Sequence, residues 1–106
     1  MTTYKIASIS GDGIGASANI NPERTFPSCF EPVHGNAPDI VGLGVANPLG
    51  CIWSGALMLE HLGEKAAAKH LEQTMNRVLE SGIKTRDLGG TANTLEVTRA
   101  MIAALS

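Results

Sequence analysis

The chain has 106 residues, 43% of them hydrophobic and 17% charged, with 8 Lys and Arg against 10 Asp and Glu and a formal net charge of −2. That length fits one domain, and the share of apolar residues excludes a disordered polyelectrolyte. The basic residues are scattered rather than gathered in a patch, so nucleic-acid binding is not expected.

Residues 4–10 read as a strand anchored by Ile6 and Ile9. Met1-Thr2-Thr3 leads into it without a basic region or a cleavage site. The longest apolar run, residues 49–59, falls well short of the roughly 20 residues a membrane span needs. The expectation is a soluble, cytoplasmic chain without a membrane partner. The strand ends at Gly11-Asp12-Gly13-Ile14-Gly15. A glycine-rich turn after a buried strand suits an α/β unit, although the spacing is not GxGxxG.

Residues 16–22 form a second short segment, stopped by Asn21-Pro22. Pro27 and Pro32 bracket Phe30, and Cys29 precedes a third candidate strand. A loop dense in Gly, Pro, Asn and Asp follows over residues 34–47. Such loops carry function more often than regular elements do.

The remainder reads as three helices. Asn47 is a suitable N-cap and Pro48 fits the first helical position. Leu49, Ile52, Trp53, Ala56 and Leu57 recur at helical spacing until Gly63. A second helix covers residues 64–80, with Ala68, Leu71, Met75, Val78 and Leu79 as its buried stripe and Gly82 at its end. A third begins near Thr94, with Glu96 in its first turn and Val97, Ala100, Met101, Ala104 and Leu105 on its apolar face. Two or three short strands ahead of three helices make a lopsided α/β order. An isolated parallel sheet needs more strands, and helices on both faces.

Candidate chemistry is sparse. Cys29 and Cys51 make no CxxC pair, and Cys51 falls in an apolar run as a small core residue. His34, His61 and His70 form neither HxH nor HExxH, and His61 and His70 read as solvated helix residues. Asp12, Asp39 and Asp87 are far apart in sequence and make no carboxylate cluster for a divalent cation. One constellation remains, residues 31–40, EPVHGNAPDI. His34 can lie against an adenine. Residues 35–37 can bring backbone N–H groups close to phosphate, since Gly and Ala offer little steric obstruction. The Asp39 carboxylate can accept from ribose hydroxyls and repels a 2′-phosphate. The same residues also suit a proline-rich surface loop with Asp39 as a cap.

Residues 30–48, FEPVHGNAPDIVGLGVANP, resemble the cofactor-binding loop of the isocitrate/isopropylmalate dehydrogenase family. Residues 17–35, SANINPERTFPSCFEPVHG, look closer to its tartrate and D-malate dehydrogenases than to its isopropylmalate dehydrogenases. Residues 6–15 resemble the family's first strand and PGDGIG turn, with Ser10 in place of the proline, and residues 88–94 with the helix after them resemble its C-terminus. The resemblance covers essentially the whole chain. It implies a single partial large domain of the isopropylmalate dehydrogenase-like α/β fold. Residues 1–15 would be its first strand and turn, and residues 16–106 its C-terminal cofactor loop and helices. It also implies NAD-dependent oxidation, often with decarboxylation, of a 2-hydroxy diacid, with Mg²⁺ or Mn²⁺ as the family's metal. Carried over by position, His34 would meet the adenine and Asn47 would hydrogen-bond it. Gly35, Asn36 (commonly serine) and Ala37 would offer backbone N–H groups. Asp39 and Ile40 occupy the pair that marks NAD enzymes, where NADP-using isocitrate dehydrogenases have a Lys-Tyr-like pair. Ile14 and Glu31 would lie nearer the nicotinamide.

One departure is large. In the family a long stretch separates the turn from the SANINPE segment, whereas here Gly13-Ile14-Gly15 runs directly into Ala16-Ser17-Ala18-Asn19. That stretch holds the arginines that clamp substrate, the catalytic tyrosine and lysine, the metal-binding aspartates and the dimer-forming part of a homodimeric family. Tyr4 and Lys5 sit in the first strand and do not match the catalytic pair. The expectation is an internally truncated chain with no catalytic or metal-binding residue, inactive alone. The alternatives are a weak NAD-binding remnant and a fragment without function.

Overall fold

The structure, a computed structural model, describes residues 5–11 and 14–106, with side chains from residue 19 onward. Strand β1 (Lys5–Gly11) pairs antiparallel with β2 (Ile14–Ile20), from Lys5 opposite Ile20 to Gly11 opposite Ile14. Strand β3 (Cys29–Pro32) pairs antiparallel with β2, from Ala16 opposite Pro32 to Asn19 opposite Cys29. The sheet order is β1-β2-β3.

The three strands expected at the front of the chain thus form an antiparallel meander. The strand expected over residues 4–10 runs to Gly11, and Tyr4 lies outside the described residues. Cys29, expected just ahead of a strand, is the first residue of β3.

The link from β2 to β3 is organised by Asn21, which is 1% exposed. Its N–H donates to Ser28 Oγ at 2.9 Å, and its Oδ1 accepts from Glu23 N–H at 3.1 Å. Arg24 donates backbone N–H to Asn21 O and sits at φ 57°. From there its guanidinium donates to His61 O at the end of the first helix. A cation on the last carbonyls of a helix offsets the negative end of the helix dipole.

Helix α1 (Leu49–His61) touches β2 and β3 as well as α2 (Lys65–Glu80), and α3 (Thr94–Leu105) packs on α2. Contact with both the sheet and α2 explains why α1 carries no charged residue before Glu60. Gly63 and Gly82, at φ 89° each, turn the chain at the ends of α1 and α2. Asn93 caps α3, its Oδ1 accepting from Glu96 N–H at 2.8 Å.

The core is one seam of Leu49, Met75, Val78, Val97 and Met101, with Ile52, Trp53, Leu71, Leu79, Ile83 and Leu88 packed around it. Three expectations need correction. Cys51 is exposed, because the inner faces of α1 are taken by Leu49, Ile52, Trp53 and Ala56. His61 is half-buried rather than solvated, with its ring 5.5 Å from that of Phe30 and Nε2 3.2 Å from Ser28 Oγ. Leu105 is 37% exposed at the frayed end of α3. His70 is exposed as expected, with Nε2 3.3 Å from Leu105 O.

The turn between α2 and α3 leaves no room for a side chain at Gly90. A Cβ on Gly90 would lie 2.1 Å from Lys84 O, the atom that accepts from Ala92 N–H at 2.8 Å. Gly90→Ala is therefore expected to destabilise the chain by about 1–3 kcal/mol through steric overlap with backbone. Asn93→Ala is expected to cost about 1 kcal/mol through the lost cap, and Asn93→Gly only a few tenths. Urea unfolding followed by circular dichroism measures both. An unshifted midpoint for Gly90→Ala contradicts the turn as described.

Candidate functional site

Residue 33 leaves β3, and from there to residue 44 the chain is exposed except at half-buried Ile40. Proline and positive-φ backbone give this loop its shape. Pro38 opens a single 3-10 turn (Pro38–Ile40), in which Asp39 occupies the first turn. Ala37, ahead of it, has φ 39° and ψ 64°, a left-handed conformation uncommon outside glycine. Ile40 N–H closes the turn on Ala37 O at 3.1 Å, and Leu43 N–H donates to Ile40 O at 3.1 Å. Gly42 at φ 82° and Gly44 at φ 67° complete it, a backbone that L side chains rarely adopt.

Among the described residues, no hydrogen bond takes up the backbone N–H of Gly35, Asn36 or Ala37. Three consecutive donors thus have no protein acceptor among the described residues, in an exposed segment whose following residue, Pro38, has no N–H. The His34 ring folds back so that Nδ1 lies 2.8 Å from Gly35 O. Asp39 is exposed.

The far end of the loop is tied down. Thr94 N–H donates to Gly44 O at 2.9 Å, and the Thr94 hydroxyl donates to Ala46 O. Asn47 Oδ1 accepts from Leu49 N–H at 2.9 Å, but the N-cap position of α1 falls on Pro48, one residue later than the sequence suggests. Asn47 Nδ2 donates to Asp87 Oδ2 at 3.0 Å. Asp87 in turn accepts from the Thr85 hydroxyl.

The residues singled out by sequence fall into three places. His34, Gly35, Asn36, Ala37, Asp39 and Ile40 run through the loop itself. Asn47 stands at its anchored end. Ile14 and Glu31 belong to the sheet. Glu31 lies opposite Ser17 in β3. Ile14 opens β2 at the same sheet end as the exit of β3 toward His34, and its side chain is outside the described residues. Thr85, Asp87 and Thr94, which fix the loop's anchored end, were not legible as site residues. Asp87 showed only as an aspartate ahead of two glycines, and its partner lies 40 positions away. Among the described residues, no three His, Cys, Asp or Glu side chains gather as metal ligands. No helix among them is long and apolar enough to cross a membrane.

The chain is similar to several decarboxylating dehydrogenases. It is 56% identical over 94 residues to a probable tartrate dehydrogenase/decarboxylase of Agrobacterium vitis, covering 89% of this chain and 26% of that protein. It is 49% identical over 94 residues to the decarboxylating D-malate dehydrogenase of Escherichia coli, covering 84% of this chain and 26% of that one. A β-decarboxylating dehydrogenase of Thermococcus kodakarensis, solved in its apo form, superposes with a TM-score of 0.79 at 40% identity, over 88% of this chain and 26% of that chain. The chain therefore spans about a quarter of the length of the relatives it matches. Residues 5–104 match the family described as isocitrate/isopropylmalate dehydrogenase, and the chain belongs to that family.

Proposed function

We propose that this chain carries the adenosine-binding loop of an NAD-dependent decarboxylating dehydrogenase acting on a 2-hydroxy diacid such as tartrate or D-malate, and that it binds NAD weakly without turning substrate over by itself. The observation that carries the reading is the row of three exposed backbone donors without a protein acceptor at Gly35, Asn36 and Ala37, followed by the exposed Asp39.

The donor set fits the cofactor. Backbone N–H groups in a concave segment with left-handed backbone suit a pyrophosphate. His34 offers an aromatic face for the adenine. Asp39 accepts from ribose hydroxyls and disfavours a 2′-phosphate by like-charge repulsion, which selects NAD over NADP. Ile40 shields that corner with an apolar, half-buried side chain. The resemblance makes Asn47 an adenine contact and puts Ile14 and Glu31, on β2 and β3, nearer the nicotinamide. In the full-length relatives' reaction, bound NAD accepts a hydride from the substrate carbon.

The lack of turnover rests on the sequence. The direct join at Gly15-Ala16 leaves no residue assignable to substrate clamp, proton transfer or metal, and positioning substrate against the nicotinamide supplies much of the rate in such reactions. The family's dimer-forming region falls in the same omitted stretch.

Calorimetric titration tests the binding half. NAD is expected to bind at least tenfold more tightly than NADP, a difference of about 1.4 kcal/mol. Asp39→Asn is expected to narrow that gap mainly by strengthening NADP. Equal binding of the two, or none of either, sinks the assignment. For the second half, incubation with NAD, Mn²⁺ and D-malate or tartrate is expected to form no NADH, and absorbance growth above background overturns it.

A further inference from the structure

The turn between α2 and α3 is built around Thr85, which is 1% exposed. Leu88 and Gly90 both donate backbone N–H to Thr85 O, at 3.1 and 3.0 Å. The Thr85 hydroxyl donates to Asp87 Oδ1, which leaves Asp87 Oδ2 to accept from Asn47 Nδ2 at 3.0 Å. Asn47 Oδ1 is held from the other side by Leu49 N–H at 2.9 Å. A relay of three side chains thus runs from a buried threonine to the residue that ends the nucleotide loop.

A primary amide has two N–H donors and two acceptor lone pairs. In Asn47 one donor is committed to Asp87 and one lone pair to Leu49, so one of each remains. A free asparagine can turn its amide by 180° and present donor and acceptor in either order. Here the turn would set Oδ1 against the Asp87 carboxylate and Nδ2 against the Leu49 N–H. Two hydrogen bonds would be exchanged for two mismatches, one of them at a charged group.

We propose that Asp87, seated by Thr85, is a positioning residue that locks the Asn47 amide in one orientation and so selects a 6-aminopurine over a 6-oxopurine in the bound dinucleotide. The proposal rests on the loop being an adenosine site. Adenine carries a donor at position 6 beside a ring acceptor, whereas hypoxanthine carries an acceptor at position 6 beside a protonated ring nitrogen. An amide fixed in one order suits the first pattern and sets donor against donor or acceptor against acceptor with the second. An amide free to turn suits either.

The test compares NAD with its hypoxanthine analogue by calorimetry on the full chain, together with ¹⁵N spectra of the Asn47 side-chain amide without ligand. The wild-type chain is expected to favour NAD at least fivefold and to show two resolved, slowly exchanging Nδ2 protons. Asp87→Ala is expected to bring the two dinucleotides within about twofold of each other and to speed exchange of those protons. Asp87→Asn, which keeps an acceptor for Asn47 while the Thr85 hydroxyl turns to accept, retains much of the preference and decides the matter if Asp87→Ala fails to fold. Equal wild-type affinity for both dinucleotides, with binding intact, overturns the selection while leaving the nucleotide loop standing. A preference that survives Asp87→Ala, or an amide spectrum indifferent to it, removes Asp87 from the role. If neither dinucleotide binds, the adenosine site itself falls, and the selection with it.

Discussion

Everything from residue 48 onward depends on burying a single apolar seam. Leu49, Met75, Val78, Val97 and Met101 come from three helices and form one contiguous cluster. Burying a side chain of this size is worth about 1.5–3 kcal/mol relative to leaving it in water. Helices of 12 to 16 residues are marginal in isolation, so their stability must come from this packing. The seam also sets where the chain may turn. Gly63 and Gly82 lie just beyond α1 and α2, so each helix ends before it would carry apolar residues away from the cluster. Gly90, pressed against Lys84 O, lets the segment after α2 fold back closely enough for α3 to reach α2.

An exposed loop with little internal bonding can hold one shape only if its ends are fixed by something that does not move. The loop over residues 33–47 meets that condition at both ends. It leaves β3, which is paired to β2 and packed against α1, and it returns into the first turn of α1, whose Leu49 belongs to the seam. Thr94 adds two hydrogen bonds from the start of α3 to Gly44 and Ala46. Fixed ends limit the conformations open to Gly35, Asn36 and Ala37, and a segment held in this way loses little further freedom on contact with any partner.

The helices were legible from sequence because each signal was local. Apolar residues at helical spacing, Gly at the ends and Asn47 before Pro48 placed all three within a residue or two. The family was legible because 19 contiguous residues, 30–48, carry the resemblance. What failed was non-local. Cys51 sits in an apolar run, yet which face of α1 turns inward depends on where β2, β3 and α2 lie. His61 looks like a solvated helix residue until Phe30 and Ser28, about thirty positions earlier, are brought against it. Strand direction was not legible either, because the apolar pattern along a strand does not say which way its neighbour runs.

Asn47 is where the two halves of the chain meet, and its double duty has a thermodynamic consequence. Its Oδ1 accepts from the first residue of the helix α1, and its Nδ2 ties the loop to the turn before α3. A ligand that favours this arrangement stabilises the start of α1 at the same time as it orders the loop. By linkage, an intact helix start raises the population of the loop conformation able to bind. Site and fold are therefore not separable at this residue. The coupling is carried by hydrogen bonds at the surface, each worth on the order of 1 kcal/mol, so it can adjust affinity by severalfold without making folding conditional on the ligand. The contacts that hold the Asn47 amide in one orientation are the same ones that join the loop to the start of α1 and to the turn before α3.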